Sequence, residues 1–245
     1  RTTRAVRLSE RGALYVDHCR RVLDDIADAE RAVRGEDAAP RGTLTVAAPL
    51  MFGRLHVLPV LARLLGEHRA LSVRLLLSDR LVHLVEEGVD AAVRIGQPAD
   101  SSLIAIKVGE VRRVLVASPA YLERHGTPGV PADLERHTCL RFSFRRSVDS
   151  WPFRTEGVTT HQVMDGRFLG NSGEVVRMMA LAGGGIARLA RFHVAADLAA
   201  GRLVELLTPF NPGDGEDIHA LHVGHDRLAA RIRAFLDFLE TRIRL

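Results

Sequence analysis

His219, His222 and His225 stand at an HxxHxxH spacing, Cys19 and Cys139 carry the chain's two thiols, and GGGIA brings three glycines together at Gly183 to Gly185. Such residues could hold a metal, attack a carbonyl or cradle a phosphate. The segment IHALHVGH alternates like a strand, so residues i and i+3 point to opposite faces and His219 and His222 cannot converge on one ion. The other histidines, His18, His56, His68, His83, His125, His137, His161 and His193, show no ligand spacing, and neither a metal nor another cofactor is expected. Cys139 opens an apolar stretch with no cationic neighbour beside it, which makes it a buried, inert thiol rather than a nucleophile. GGGIA follows a helical stretch and precedes an extended one, whereas a phosphate cradle lies between strand and helix. No GxSxG, GxxxxGK[ST] or GxGxxG motif is present. With no nucleophile and base to set at strand ends, the chain is not expected to be an enzyme.

The chemistry that remains is binding. Arg94 follows the apolar run AAV at the end of an extended segment, and a guanidinium there needs an anionic partner. That partner is either a bound anion or an internal carboxylate, Asp79 or Asp90. In open parallel sheets ligands gather beyond the carboxyl ends of the strands, where loops and helix N-termini expose backbone N–H groups. The turns at Pro49, Leu50 and Met51, at Ser78 and Asp79, and at Arg94 and Ile95 therefore face one crevice, which Phe142, Asn171, Ser172 and the turn at Gly185 and Ile186 are expected to close from a second lobe.

The elements that would hold these residues follow from periodicity. Leu8, Gly12, Tyr15, Cys19, Val22, Ile26, Ala29 and Val33 repeat at intervals of four and three, a heptad seam. Ser9 can cap the start of this helix and Gly35 with Pro40 can close its end, giving an element over 8–36. Its narrow apolar seam, with charges on the other faces, favours a dimerisation helix through Tyr15, Cys19, Val22, Ile26, Ala29 and Val33 over a helix lying on its own domain. Beyond EDAAPRG, GTLTVAAP, SVRLLLS and DAAVRIG read as strands separated by FGRLHVLPVLARLLGEH and RLVHLVEEG as helices, a β-α-β-α-β series that signals a doubly wound parallel sheet. LIAIKVGEVRRVLVASP supplies two further extended segments and PAYLERHG a helix. A second α/β series follows, with a hairpin about Glu156 and Gly157, and DRLAARIRAFLDFLETRI closes the chain as a helix. The expected fold is thus α/β, with two doubly wound subdomains joined by two crossovers near Val114 to Pro119 and Asp217 to Gly224. Subdomain I takes 42–116 and 220–245, and subdomain II takes 117–219. A pair of crossovers makes a hinge with a cleft between the lobes.

The 245 residues, 47% of them hydrophobic, suffice to bury such cores. No run reaches the ~18 apolar residues of a membrane span, and without the apolar region of a secretory signal a cytoplasmic location is expected. Of the net charge of +4, +3 lies within residues 1–11, so any phosphate-binding surface belongs to that end, at Arg1 and Arg4.

Taken in order, RTTRAVRLSERG, a long helix, PRGTLTVAAP, FGRLHVLPVL, LSDRLVHLVEEGVDAAVRIG, DSSLIAIKVG, RRVLVASPAYLERHG and LAGGGIARL resemble the LysR-type transcriptional regulators over essentially the whole chain. The resemblance implies a linker helix and a two-lobed, periplasmic-binding-protein-like effector domain, with 1–7 as the last strand of a winged helix-turn-helix whose recognition helix lies outside this sequence. It implies homodimers through the linker helix, commonly assembled into tetramers, DNA as the partner of the winged domain, and no membrane partner. It also implies a small, often carboxylated or aromatic effector in the cleft, contacted at Pro49, Leu50, Met51, Ser78, Arg94, Asn171 and Ile186. Ala190 stands where the family often has proline, and His83 where an acid is common. The rival reading is a solute-binding protein of a transport system lacking its signal peptide; the heptad helix speaks against it.

Overall fold

The computed structural model describes residues 39–96, 103–143, 150–224 and 228–242, together with positions 8, 9, 11, 12, 15, 16, 19, 22, 23, 26, 27, 30 and 33. Arg1, Arg4, Ala29 and His225 lie outside the described residues. The described positions from 11 to 33 are all helical (α1), and Ser9 Oγ accepts the Gly12 N–H at 3.1 Å, the expected N-cap. Large apolar side chains on α1 stay in solvent, among them Tyr15, Val22, Ile26 and Val33.

Lobe I begins with β1 (Gly42–Ala48), a β-branched stretch covered on both faces. It pairs in parallel with β2 (Leu71–Leu77) and β3 (Ala91–Ile95). Between β1 and β2 the chain is helical from α2 (Leu50–Phe52) through a π-helical turn (Gly53–Val57) to α3 (Leu58–Glu67). Pro59 sits in the first turn of α3, directly after the π-helical turn. RLVHLVEEG delivers a shorter helix than its apolar spacing predicts, α4 (Leu84–Glu87): residues 80–83 are loop, and Gly88 in a left-handed conformation closes the end.

The stretch expected to form two extended segments is one strand, β4 (Leu103–Ala117), whose 15 residues run through both lobes. β11 (Gly215–Val223) pairs with it through Arg112, and β9 (Ile186–Ala190) pairs with it from Arg113. The first crossover therefore falls between Arg112 and Arg113, and the second before Gly215. Both lie a few residues earlier than the boundaries at 116 and 219 suggest, because a strand that continues without a break gives no sequence sign of where its partners change. Helix α8 (Ala230–Arg242) returns to lobe I as expected, burying Phe235 and Leu239 against Leu44, Val46, Leu61 and Leu64.

In lobe II, β4 is flanked by β9 and by β10 (Val204–Leu206), with β5 (Cys139–Phe142) and β8 (Phe168–Gly170) beyond β9. Two cores lie on the two faces of this sheet. Tyr121 of α5 (Pro119–His125), Trp151 and Phe153 fill one; Val176 and Ala180 of α6 (Gly173–Leu181) and Val194 of α7 (Arg191–Ala199) fill the other. Trp151 and Phe153 belong to β6 (Ser150–Thr155), which forms the expected hairpin with β7 (Val158–Val163). Its two-residue turn carries positive φ at Glu156 and Gly157.

Candidate functional site

Strand direction sets the crevice. β1, β2 and β3 all end on one edge of lobe I, where Ser78 N bonds Ala48 O at 3.0 Å. β5, β8 and β9 are mutually parallel and end together in lobe II, with Ser143 N on Gly170 O at 2.8 Å and Ala190 opposite Arg113. β4 and β11 connect the two edges, so the carboxyl ends of both sheets look toward the same gap.

Pro49, Leu50 and Ser78 occupy the lobe I edge, Leu50 exposed and Met51 buried one residue further on. Phe142, Asn171 and Ser172 occupy the lobe II edge, with Asn171 exposed. Ser172 caps α6, its Oγ accepting the Val175 N–H at 3.1 Å. Ile186 is a correction. It starts β9 opposite Cys139 at the start of β5, fully buried, so it lies at the far end of lobe II from the crevice. The Gly183 to Gly185 turn lies there too, and a Cβ on Gly185 would come within 2.3 Å of Thr138 O. The glycines serve close backbone approach, as their spacing implies, but not in the cleft wall.

Arg94 is 7% exposed and donates to Arg80 O at 3.3 Å and Val82 O at 3.2 Å, holding the loop that crosses lobe I. The two carboxylates considered as its internal partner also make bonds of their own. Asp90 accepts Thr45 N at 2.7 Å and Arg231 Nη2 at 3.4 Å. Asp79 accepts the Leu50 N–H at 3.0 Å, capping a helix whose own N-cap, Pro49, has no side chain able to do so. Burial raises the Asp79 carboxyl above its ordinary range, against the opposing pull of the Leu50 N–H and of the Ser172 hydroxyl across the crevice. Asp79 thus holds α2 in lobe I and faces Ser172 of lobe II, a role that its neighbours in LSDRL do not announce.

The lobes also meet through rings. Phe52 packs edge-on to Phe192 of α7 at 5.5 Å, and His56 does so at 5.8 Å. His193 stacks on Phe192 at 4.1 Å, and burial, reinforced by the nearby charge of Arg113, lowers its pKa to about 4. It is therefore neutral at pH 7. Cys139 is buried, and burial with the charge of Asp165 pushes its thiol up to about 12. His219 Nδ1 donates to Gly96 O at 3.2 Å, whereas His222 is buried and turns to Val223 O. Among the described residues no three His, Cys, Asp or Glu side chains are grouped as metal ligands would be, and no helix is long and apolar enough to cross a membrane.

Two α/β lobes, joined by paired crossover strands and facing each other across the carboxyl ends of their strands, define a periplasmic-binding-protein-like sensor fold. The LysR substrate binding domain family matches residues 37–244, and the chain belongs to the LysR-type transcriptional regulators. It is 34% identical over 242 residues to the HTH-type transcriptional regulator CrgA of Neisseria meningitidis, spanning 98% of this chain and 80% of that one. It is 30% identical over 239 residues to the HTH-type transcriptional activator AaeR of Escherichia coli, spanning 98% and 77%. The solved structure of CrgA superposes with a TM-score of 0.76 at 32% identity, covering 98% of this chain and 82% of that chain. The full-length structure of the Vibrio cholerae virulence activator AphB superposes at 0.72 and 28% identity, covering 98% and 81%. The chain is the effector-binding part of such a regulator, and the transport-protein alternative is set aside.

Proposed function

We propose that this chain senses a small anionic metabolite held between its lobes, and that it acts as a homodimer paired through α1, with DNA bound by a winged helix-turn-helix preceding that helix. The observation that carries the reading is the convergence of the strand ends of both lobes, with the N-terminus of α6 at Gly173, on one gap. Such a terminus favours negative charge. The relatives are regulators, which supports a binding rather than a catalytic role. Mechanistically, a ligand that fits one arrangement of the lobes better than another shifts the population toward it. A tenfold preference, about 1.4 kcal/mol, is enough to change promoter occupancy.

Thermal unfolding of the purified chain with aromatic and short-chain carboxylic acids tests the effector half of this reading, with the matching amides as neutral controls. At 100 times its Kd a ligand adds about 2.7 kcal/mol of stability. At least one acid is expected to raise the midpoint where its amide does not; amides stabilising as well as acids would contradict the anionic assignment.

A further inference from the structure

We propose that the rings joining the two lobes form a clasp released by protons: while His56 is neutral, Phe192 of lobe II stays seated in lobe I, and a proton on His56 unseats it and lets the lobes part with no ligand bound. The inference goes beyond the effector reading above and does not depend on it.

Phe52 and His56 stand four residues apart on one helical run, so their rings share a face, and their centres lie 4.8 Å apart. Phe192 meets both at nearly a right angle, 5.5 Å from Phe52 and 5.8 Å from His56. Ala190 and Phe192 pack into the core of lobe I, yet Val194, two residues further along α7, is buried in the core of lobe II. One short stretch is thus rooted in one lobe and plugged into the other. His193 stacks on the plug at 4.1 Å, in space that Gly173 leaves open, since a Cβ on Gly173 would collide with the imidazole.

This seat has no place for a charge. His56 Nε2 is buried and meets no hydrogen-bond partner among the described residues. In a neutral ring protonated at Nδ1 it is a bare nitrogen, which loses little by burial. A second proton would make it the unmet N–H of a cation, a far costlier group to bury, and aromatic faces supply no acceptor for it. The charged ring is therefore driven out to water, and Phe192 loses the neighbour that held it.

The charges around the seat agree with this. β1 carries none, Arg54 on the same turn and Arg63 and Glu67 on α3 are exposed, and Arg191 of α7 pairs with Glu205 at 2.9 Å. Burial alone lowers the His56 pKa. His193, which α7 brings up beside Phe192, faces Arg113 of β4 and Arg177 of α6 and stays neutral down to about pH 4. Asp79, at the start of α2, titrates above its ordinary range and is the rival trigger. An imidazole with a lower pKa seated than free binds its proton more readily when the clasp is open. The seated arrangement is therefore fully favoured above the free value of about 6.5 and loses ground as pH falls below it.

The test measures the interlobe distance between spin labels at Glu86→Cys and Thr159→Cys, in a Cys19→Ser background without ligand, from about pH 8 to about pH 5. Labelled full chains are diluted into unlabelled ones. The distribution is expected to shift to a new maximum as pH falls below about 6.5, with the ratio of seated to open chains dropping about threefold to tenfold. His56→Phe keeps a ring that cannot take a proton, and is expected to hold the alkaline distribution throughout. Phe192→Ala removes the plug and is expected to show the acid distribution already at the alkaline end. The His56 Cε1–H resonance of wild type, followed by NMR, is expected to titrate below the ordinary imidazole value, a reading that stands even if a variant fails to fold. A wild-type distribution that does not move would overturn the proposal, and so would Phe192→Ala keeping the wild-type distance or His56 titrating at the ordinary value or above. His56→Phe responding to pH as wild type does would pass the trigger to Asp79 and overturn it too, and loss of far-ultraviolet ellipticity over the same range would make the change an unfolding. With no ligand in any arm, each of these failures leaves the effector reading standing.

Discussion

Asp197→Ala is expected to cost about 3 to 5 kcal/mol of folding stability, the range for removing one partner of a buried ion pair. Asp197 lies on α7 with no exposed surface, and accepts Arg177 Nε at 2.6 Å from α6 and Arg202 Nε at 2.8 Å from the turn that leads into β10. It therefore ties together three segments on one side of lobe II. Without it Arg177, itself largely buried, keeps only Glu174. Burial by itself would raise the Asp197 carboxyl, but the hydrogen bonds and charges of Arg177 and Arg202 overcome it and hold the pKa below the usual carboxylate range. A carboxyl depressed in the folded state stabilises fully above its unfolded pKa of about 4, and the contribution disappears as pH falls through the folded value. Urea unfolding at pH 7 and pH 3 checks both points: the gap between wild type and variant is expected to be wide at pH 7 and to narrow in acid. A loss under 1 kcal/mol at pH 7 would mean that the tie is replaceable.

The double substitution Val22→Glu with Ile26→Glu is expected to turn the proposed dimer into a monomer. Val22 and Ile26 are 57% and 51% exposed on α1, and they recur at the seam spacing with Tyr15 and Val33. Paired helices would bury two carboxylates from each chain, at several kcal/mol per ion, so the dimer dissociation constant is expected to weaken by about a thousandfold or more. Sedimentation equilibrium reads the outcome directly. The lobes do not depend on this seam, so far-ultraviolet ellipticity from the effector domain should persist. A variant that sediments as the wild type does would move the pairing surface elsewhere.

The order of elements was legible because period and turn chemistry agree locally: GTLTVAA, SVRLLL and AAVRI are strands, and a two-residue turn with Gly157 makes a hairpin. What sequence could not show was partnership at a distance. β4 is apolar from Val114 to Ala117 and mixed before it, yet nothing in that pattern says that its neighbour changes from β11 to β9 at Arg113. Ile186 was placed at the crevice together with the glycine turn before it, and again through the family resemblance, whereas strand direction puts it at the end of β9 away from the crevice. Arg94 was read as standing at a strand end and needing an anionic partner, but loop carbonyls as its acceptors cannot be read from residue types. Asp79 was placed at the crevice turn, but its hold on the start of α2 was missed for a related reason: it is recognisable only once Pro49 is seen to lack a capping side chain. Ser9 and Gly12 show the converse, a three-residue spacing that names its own hydrogen bond.

The central claim is that an acid captured between the lobes changes how they sit relative to each other. Electron–electron distance measurement tests it most directly, with spin labels at Glu86→Cys in lobe I and Thr159→Cys in lobe II, a Cys19→Ser background, and labelled chains diluted into unlabelled ones. On saturation with an acid that raises the melting midpoint, the interlobe distance distribution is expected to shift to a new maximum, while the matching amide leaves it in place. An acid that binds and stabilises with the distribution unmoved would contradict the account.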